Sequence, residues 1–106
     1  MGEMPALTEA VYYILLALLH PMHGYGIMQT TEQLSEGRVR LAAGTLYGAL
    51  SALCEKGWII PLPAAEESRK KEYKLTPLGL TVLKNELRRL KQLVHNGEEL
   101  LKESEE

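Results

Sequence analysis

The sequence predicts a mainly α fold of the α+β class, with three short helices, a two-stranded β-hairpin and one long C-terminal helix. Three observations carry this expectation. Apolar residues recur at helical spacing in three segments before residue 57. Two short strand-like runs then flank a polar loop, and after them leucines alternate three and four apart. With 106 residues, 45% of them hydrophobic, the chain can bury one modest core and reads as a single structural unit.

The first helix is expected after Thr8, which can cap it, with Glu9 in the first turn. Val11, Ile14, Leu15 and Leu18 share one face, and His20-Pro21 ends the helix. The other side carries Tyr12, Tyr13, Leu16 and Leu19, more apolar surface than one core would cover, so a second packing partner is expected. The second helix opens at His23-Gly24, turns Ile27, Met28, Thr31 and Leu34 inward, and stops at Ser35-Glu36-Gly37. Val39-Arg40-Leu41 offers no more than a scrap of strand.

A third helix starts at Gly44-Thr45-Leu46-Tyr47, aligns Leu46, Leu50 and Leu53, and ends at Gly57. Opposite that apolar line lie Gly44, Gly48, Ser51, Ala52 and Glu55, with Thr45 and Tyr47 on the flanks. Side chains this small would let the helix backbone sit deep in a DNA major groove. Residues 58–62 and 72–75 read as strands around a polar loop that holds Arg69-Lys70-Lys71, a hairpin with a basic tip.

The last helix is expected from Pro77, with Thr76 as its cap, to near Glu103. Leu80, Leu83, Leu87, Leu90 and Val94 form a heptad seam, whereas Lys84, Arg88, Arg89 and Lys91 lie off it. At 1.5 Å per residue such a helix is roughly 40 Å long, too long to pack wholly on so small a domain. A second copy of the chain should cover the seam, with Tyr12 and Leu16 of the first helix joining the same homodimer interface. Asn96-Gly97 interrupts the seam and predicts a kink or early fraying there.

Formal net charge is −2, yet its distribution is uneven. Residues 1–36 carry four acids and no Lys or Arg; residues 37–75 carry seven bases against four acids, a local +3. A phosphate-bearing partner would meet that third of the chain. The longest apolar run, Ala10 to Leu19, is about half of what a membrane-spanning helix needs, and Glu3 and Glu9 stand where a signal peptide carries positive charge, so a cytoplasmic protein is expected. The single cysteine, Cys54, excludes an intrachain disulfide framework and reads as a buried, inert thiol. Trp58 reads as core at the helix-to-strand junction. His20 and His23 with Cys54 do not complete a metal set, and neither an acid pair nor a Cys-His arrangement nor a phosphate loop points to an enzyme or a cofactor.

Three helices followed by a basic hairpin describe a winged helix-turn-helix. The stretches His23-Gly24-Tyr25-Gly26-Ile27, Gly44-Thr45-Leu46-Tyr47-Gly48-Ala49-Leu50, Lys56-Gly57-Trp58-Ile59 and Lys71-Glu72-Tyr73-Lys74-Leu75-Thr76-Pro77-Leu78-Gly79 resemble the PadR family of bacterial transcription regulators, in family order and spacing. The resemblance covers nearly the whole chain and is to the short branch with one C-terminal dimerisation helix. It implies a winged-helix DNA-binding part over residues 1–75, a dimerisation helix over residues 76–106, a repressor role and an effector that releases DNA. The chain departs from the family at Ala52, where many relatives carry Arg, and in having no Trp or Tyr after Tyr73.

The expected partners are double-stranded DNA, a second copy of the chain and a small aromatic effector at the dimer interface. Two-fold symmetry predicts an inverted-repeat operator with half-sites about one helical turn apart. The expected DNA-binding residues are Gly24, Tyr25, Arg38, Thr45, Tyr47, Ser51, Arg69, Lys70 and Lys71. Thr45, Tyr47 and Ser51 lie nearest base edges, and the Arg and Lys side chains hold phosphates. A winged-helix module that binds other proteins, without sequence-specific DNA binding, is the alternative the acidic overall balance would fit.

Overall fold

The computed structural model describes residues 6–63 and 70–104. Helix α1 (Glu9–Ala17) is followed by strand β1 (Met22–His23), helices α2 (Gly24–Leu34) and α3 (Ala43–Glu55), strands β2 (Ile59–Leu62) and β3 (Glu72–Leu75), and helix α4 (Pro77–Ser104). The strands form one antiparallel sheet in the order β1-β3-β2, with Ile59 opposite Leu75 and Leu62 opposite Glu72. This is the expected winged helix-turn-helix with one addition: β1 lies on the outer side of β3, pairing Met22 with Tyr73 and His23 with Glu72. Val39-Arg40-Leu41 forms no strand.

Local chemistry fixes where the helices begin and end. The Thr8 hydroxyl accepts a hydrogen bond from the Val11 N–H at 3.1 Å, so one of the orphan donors of α1 is satisfied. Helix α3 ends in a pair of bonds typical of a left-handed terminus: Trp58 N–H donates to the Leu53 carbonyl, and Gly57 N–H donates to that of Cys54. Gly57 takes φ +75 to close them. Helix α2 closes in the same way, Gly37 N–H donating to Glu32 and Glu36 N–H to Gln33, but here the left-handed residue is Glu36, at φ 53. The Ser35 hydroxyl steadies that turn by accepting from Val39 N–H at 2.9 Å.

The core is one cluster. Ile14, Leu15 and Leu18 of α1 meet Ile27 of α2, Leu46, Leu50 and Leu53 of α3, Trp58, Ile59 of β2, and Val82 and Leu83 of α4. Burying each large aliphatic side chain contributes about 1.5–3 kcal/mol against the entropy of ordering it. Two expected positions change place. Leu34 is exposed rather than inward, and Leu83, expected on the dimer seam, is 5% exposed inside its own chain's core. Val82, Leu83 and Glu86 of α4 face the core, so the second position of the heptad line points inward.

Helix α4 is fastened at its start. The Thr76 backbone N–H donates to the Trp58 carbonyl at 3.0 Å, its hydroxyl donates to the Gly57 carbonyl at 2.6 Å, and the same oxygen accepts from Gly79 N–H at 3.0 Å. Farther along, the buried Glu86 carboxylate accepts from Arg89 and from the Leu7 backbone N–H. The hydrogen bonds from Arg89 are the main reason its carboxyl is held below the usual carboxylate range; burial opposes them and the Leu7 bond adds to them. The helix is unbroken through Asn96-Gly97, against the expected kink. Its 28 residues span roughly 42 Å at 1.5 Å each. No helix among the described residues is long and apolar enough to cross a membrane.

Candidate nucleic-acid interface

Helix α3 buries Leu46, Leu50 and Leu53 and thereby presents Gly44, Thr45, Gly48, Ser51, Ala52 and Glu55 outward, all of them exposed. A Cβ added to Gly44 or Gly48 would meet no other atom of the chain within 4 Å. Each glycine inside a helix costs about 1 kcal/mol relative to alanine. Nothing within the fold requires these two glycines, and they leave the outer face of α3 without side chains at those positions.

Tyr47, half exposed, leans from α3 towards the start of α2. A Cβ on Gly24 would overlap its hydroxyl and lie 2.8 Å from its Cζ. Gly24 is buried beneath the ring, so it contributes clearance for Tyr47 rather than a surface of its own. Tyr25 next to it is 60% exposed. Tyr47, Tyr25 and Gly24 share a cavity of about 440 Å³ with His23, Tyr73, Lys70 and Lys71. Of the expected DNA-binding residues, the structure therefore gathers Gly24, Tyr25, Tyr47, Lys70 and Lys71 at one cleft between α2, α3 and β3, while Thr45 and Ser51 are exposed elsewhere on α3. Arg69 lies outside the described residues.

Arg38 is placed elsewhere. Its Nε and Nη2 both donate to Oε2 of Glu9 in the first turn of α1, and this pairing raises its guanidinium pKa above the usual value. The phosphate contact expected of it competes with that ion pair. His23 and Tyr73 were not expected at the cleft. For His23 the available signal was its position directly before Gly-Tyr-Gly at a helix start, where a side-chain acceptor caps. Tyr73 is brought there by the register of β3, for which no local pattern exists.

Burial pushes the Cys54 thiol above its usual pKa, with the charge of Lys71 working the other way, and burial likewise raises the Tyr73 phenol. A protonated, half-buried thiol is a poor nucleophile, in line with the inert role expected from the sequence. Trp58 is buried, with the Lys56 ammonium 4.7 Å from its ring centroid. Among the described residues no group of three His, Cys, Asp or Glu is placed to hold a metal ion.

A second surface, between α1 and α4, is largely apolar. Tyr12 and Leu16 pack half-buried at the edge of the core, and Tyr12 meets Tyr13 with ring centroids 6.1 Å apart. A groove of about 350 Å³ runs between α1 and α4, floored by Tyr12, Tyr13, Glu86 and Leu90. Beyond it no residue of α4 is buried, although Leu93, Val94, Leu100 and Leu101 are all more than half exposed. Leu80 and Leu87 are exposed on the same helix, at 36% and 44%. The seam from Leu80 continues at Gly97 and Leu101, two positions that the sequence reading left off it.

A family model described as "Transcriptional regulator PadR-like family" matches residues 14–85. The chain belongs to the PadR-like family of transcriptional regulators. The match spans the core of α1, all of α2 and α3, strands β2 and β3 and the packed half of α4. A relative described as "Uncharacterized 37.1 kDa protein in transposon TN4556", from Streptomyces fradiae, is 38% identical over 87 residues. The similarity covers 81% of this chain but 24% of that protein, so the chain spans about a quarter of the relative's length.

Among solved structures, a transcriptional regulator from Clostridium thermocellum is 27% identical, with a TM-score of 0.68 over 84% of this chain and 92% of that one. A PadR family regulator from Eggerthella lenta is 25% identical, with a TM-score of 0.69 over 86% and 80%. BpsR of Bordetella bronchiseptica, whose DNA binding is regulated by 6-hydroxynicotinic acid, shares the fold at 18% identity and a TM-score of 0.66, over 85% of this chain and 64% of that one.

Proposed function

We propose that this PadR-like protein is a repressor that binds an inverted-repeat operator as a homodimer and is released by a small aromatic effector held between subunits. The observation that carries the dimer is the distal half of α4, from Lys91 to Ser104, which exposes four large aliphatic side chains and buries none of its residues against the described part of the chain. An exposed apolar stripe of this length is a binding surface, and a second α4 with α1 beside it has matching heptad spacing. Leu80, Leu87, Leu90 and Val94 belong to that interface with Tyr12 and Leu16, while residues 1–75 and 76–106 act as one structural unit because Val82 and Leu83 complete the core.

At the DNA-binding surface, α3 enters the major groove. Thr45, Tyr47 and Ser51 reach base edges, and Tyr25, Lys70 and Lys71 hold phosphates together with Arg69 of the same loop. The groove between α1 and α4 is where an effector would act on the subunit arrangement, and the ligand regulation of BpsR supports that reading by analogy.

With about three phosphate contacts per subunit, log affinity should fall against log salt with a slope on the order of −5. A gel-shift series on duplex DNA measures this; retardation that is insensitive to salt, or none at low salt, refutes the interface and favours a protein-binding module. Gly48→Ala supplies a second check. It should raise stability by about 1 kcal/mol, because helix propensity improves and no atom is met, while lowering DNA affinity severalfold because the added methyl group stands in the groove. Thermal denaturation and the gel shift read the two effects separately.

A further inference from the structure

We propose that His23 is a DNA-phosphate ligand that acts uncharged, its Nε2–H donating to the backbone of the bound duplex; this rests on the cleft between α2, α3 and β3 being the DNA interface. Three observations lead there. His23 caps α2: its Nδ1 accepts a hydrogen bond from the Gly26 N–H at 3.2 Å. A ring nitrogen that accepts carries no proton, so the proton of the neutral ring is on Nε2, and that nitrogen is a donor. The imidazole also lines the cleft, in company with the Lys70 and Lys71 ammonium groups and the Tyr47 and Tyr73 phenols.

The arrangement is rigid. The His23 backbone is held on one side by its pairing with Glu72 of β3 and continues on the other directly into α2, while the cap bond fixes the ring. A donor held in place before binding loses little entropy on meeting its acceptor. The chemistry of the cleft, two cations and a set of hydroxyl and N–H donors, suits a phosphodiester oxygen, which only accepts. The cap occupies Nδ1 as an acceptor and leaves Nε2 as the ring nitrogen that can donate. His23 thus contributes a hydrogen bond to the interface and no counterion release.

Two substitutions separate the cap from the contact. Asn is among the best N-caps, so His23→Asn keeps an acceptor for Gly26 N–H and removes the Nε2–H. His23→Gln weakens the cap but places an amide N–H near the position of Nε2. On a mixed-sequence duplex, His23→Asn should keep the wild-type melting temperature and lose at least about tenfold in affinity at every salt concentration, with the slope of log affinity against log salt unchanged. His23→Gln should melt lower and stay within about threefold of wild-type affinity. Long-range ¹H–¹⁵N correlation should report His23 as the Nε2–H tautomer.

Wild-type affinity in His23→Asn overturns the assignment and leaves His23 as a cap alone. A salt slope made shallower by about one per subunit overturns the uncharged contact, because it would mean an imidazolium. Failure of the wild type itself to retard DNA overturns the interface, and this assignment with it, and is distinguished from the other outcomes by that control.

Discussion

Gly79→Ala should cost this protein about 3 kcal/mol or more, a large share of the stability of a small domain. Gly79 is buried in the first turn of α4, and a Cβ there would fall on the Trp58 carbonyl oxygen and lie 2.9 Å from its carbon. Neither atom can move aside as a flexible side chain would, since that carbonyl also accepts from Thr76 N–H and the next carbonyl back accepts from the Thr76 hydroxyl. Relief would require α4 to lift away from β2, breaking the cap and opening the core at Ile59 and Val82. Overpacking a tight site typically costs 1–3 kcal/mol, and lost hydrogen bonds add to that, against a total of about 5–15 kcal/mol for a domain. Urea denaturation measures the change. Gly97→Ala in the same helix is the control: within its own chain its Cβ would meet nothing, so the unfolding free energy of the monomer should hold or rise.

Leu87→Glu should convert a dimer into a folded monomer and reduce DNA affinity by about a hundredfold or more. Leu87 is 44% exposed in the single chain, so a carboxylate there remains hydrated and the fold keeps its core. In a two-fold seam the same substitution places two like charges against apolar side chains, and desolvating them is unfavourable. Loss of the dimer separates the two half-site contacts, and with them the gain from binding the second half-site within the same complex. Light scattering reads the mass and a gel shift the affinity; an unchanged mass refutes the interface. Leu83→Glu, one turn earlier, should instead unfold the chain, because Leu83 belongs to the core.

Elements whose evidence is local were legible. Helix α3 announces itself by Leu46, Leu50 and Leu53 at one face and Gly57 past its end, and α4 by Thr76-Pro77 and the leucine spacing. Strand β1 was not, because two residues after a proline turn have no periodicity; Met22 and His23 become a strand only through the edge that β3 offers them. The pairing of Arg38 with Glu9 joins residues 29 apart in sequence, and the bond from Leu7 to Glu86 joins residues 79 apart, so neither has a local signature. Gly97 read as a break, yet a single glycine costs only about 1 kcal/mol, and the surrounding helical turns outweigh it. At the cleft, Tyr25, Tyr47, Lys70 and Lys71 were legible by residue type and position. The clearance that Gly24 gives Tyr47 and the arrival of Tyr73 depend on how α2, α3 and β3 meet.

The wing and the long helix are separated by one residue, Thr76, and that residue is bonded to both Gly57 and Trp58. The joint therefore has no slack, and α4 behaves as a pointer soldered to the hairpin. A tilt of about 5° at the joint sweeps the far end of a 40 Å helix through roughly 3–4 Å. In reverse, in the proposed homodimer a few ångströms of sliding between the two α4 helices would turn each recognition helix by only a few degrees. In that dimer, the distance between the two recognition helices would then be set by how the two α4 helices cross, and operator spacing with it.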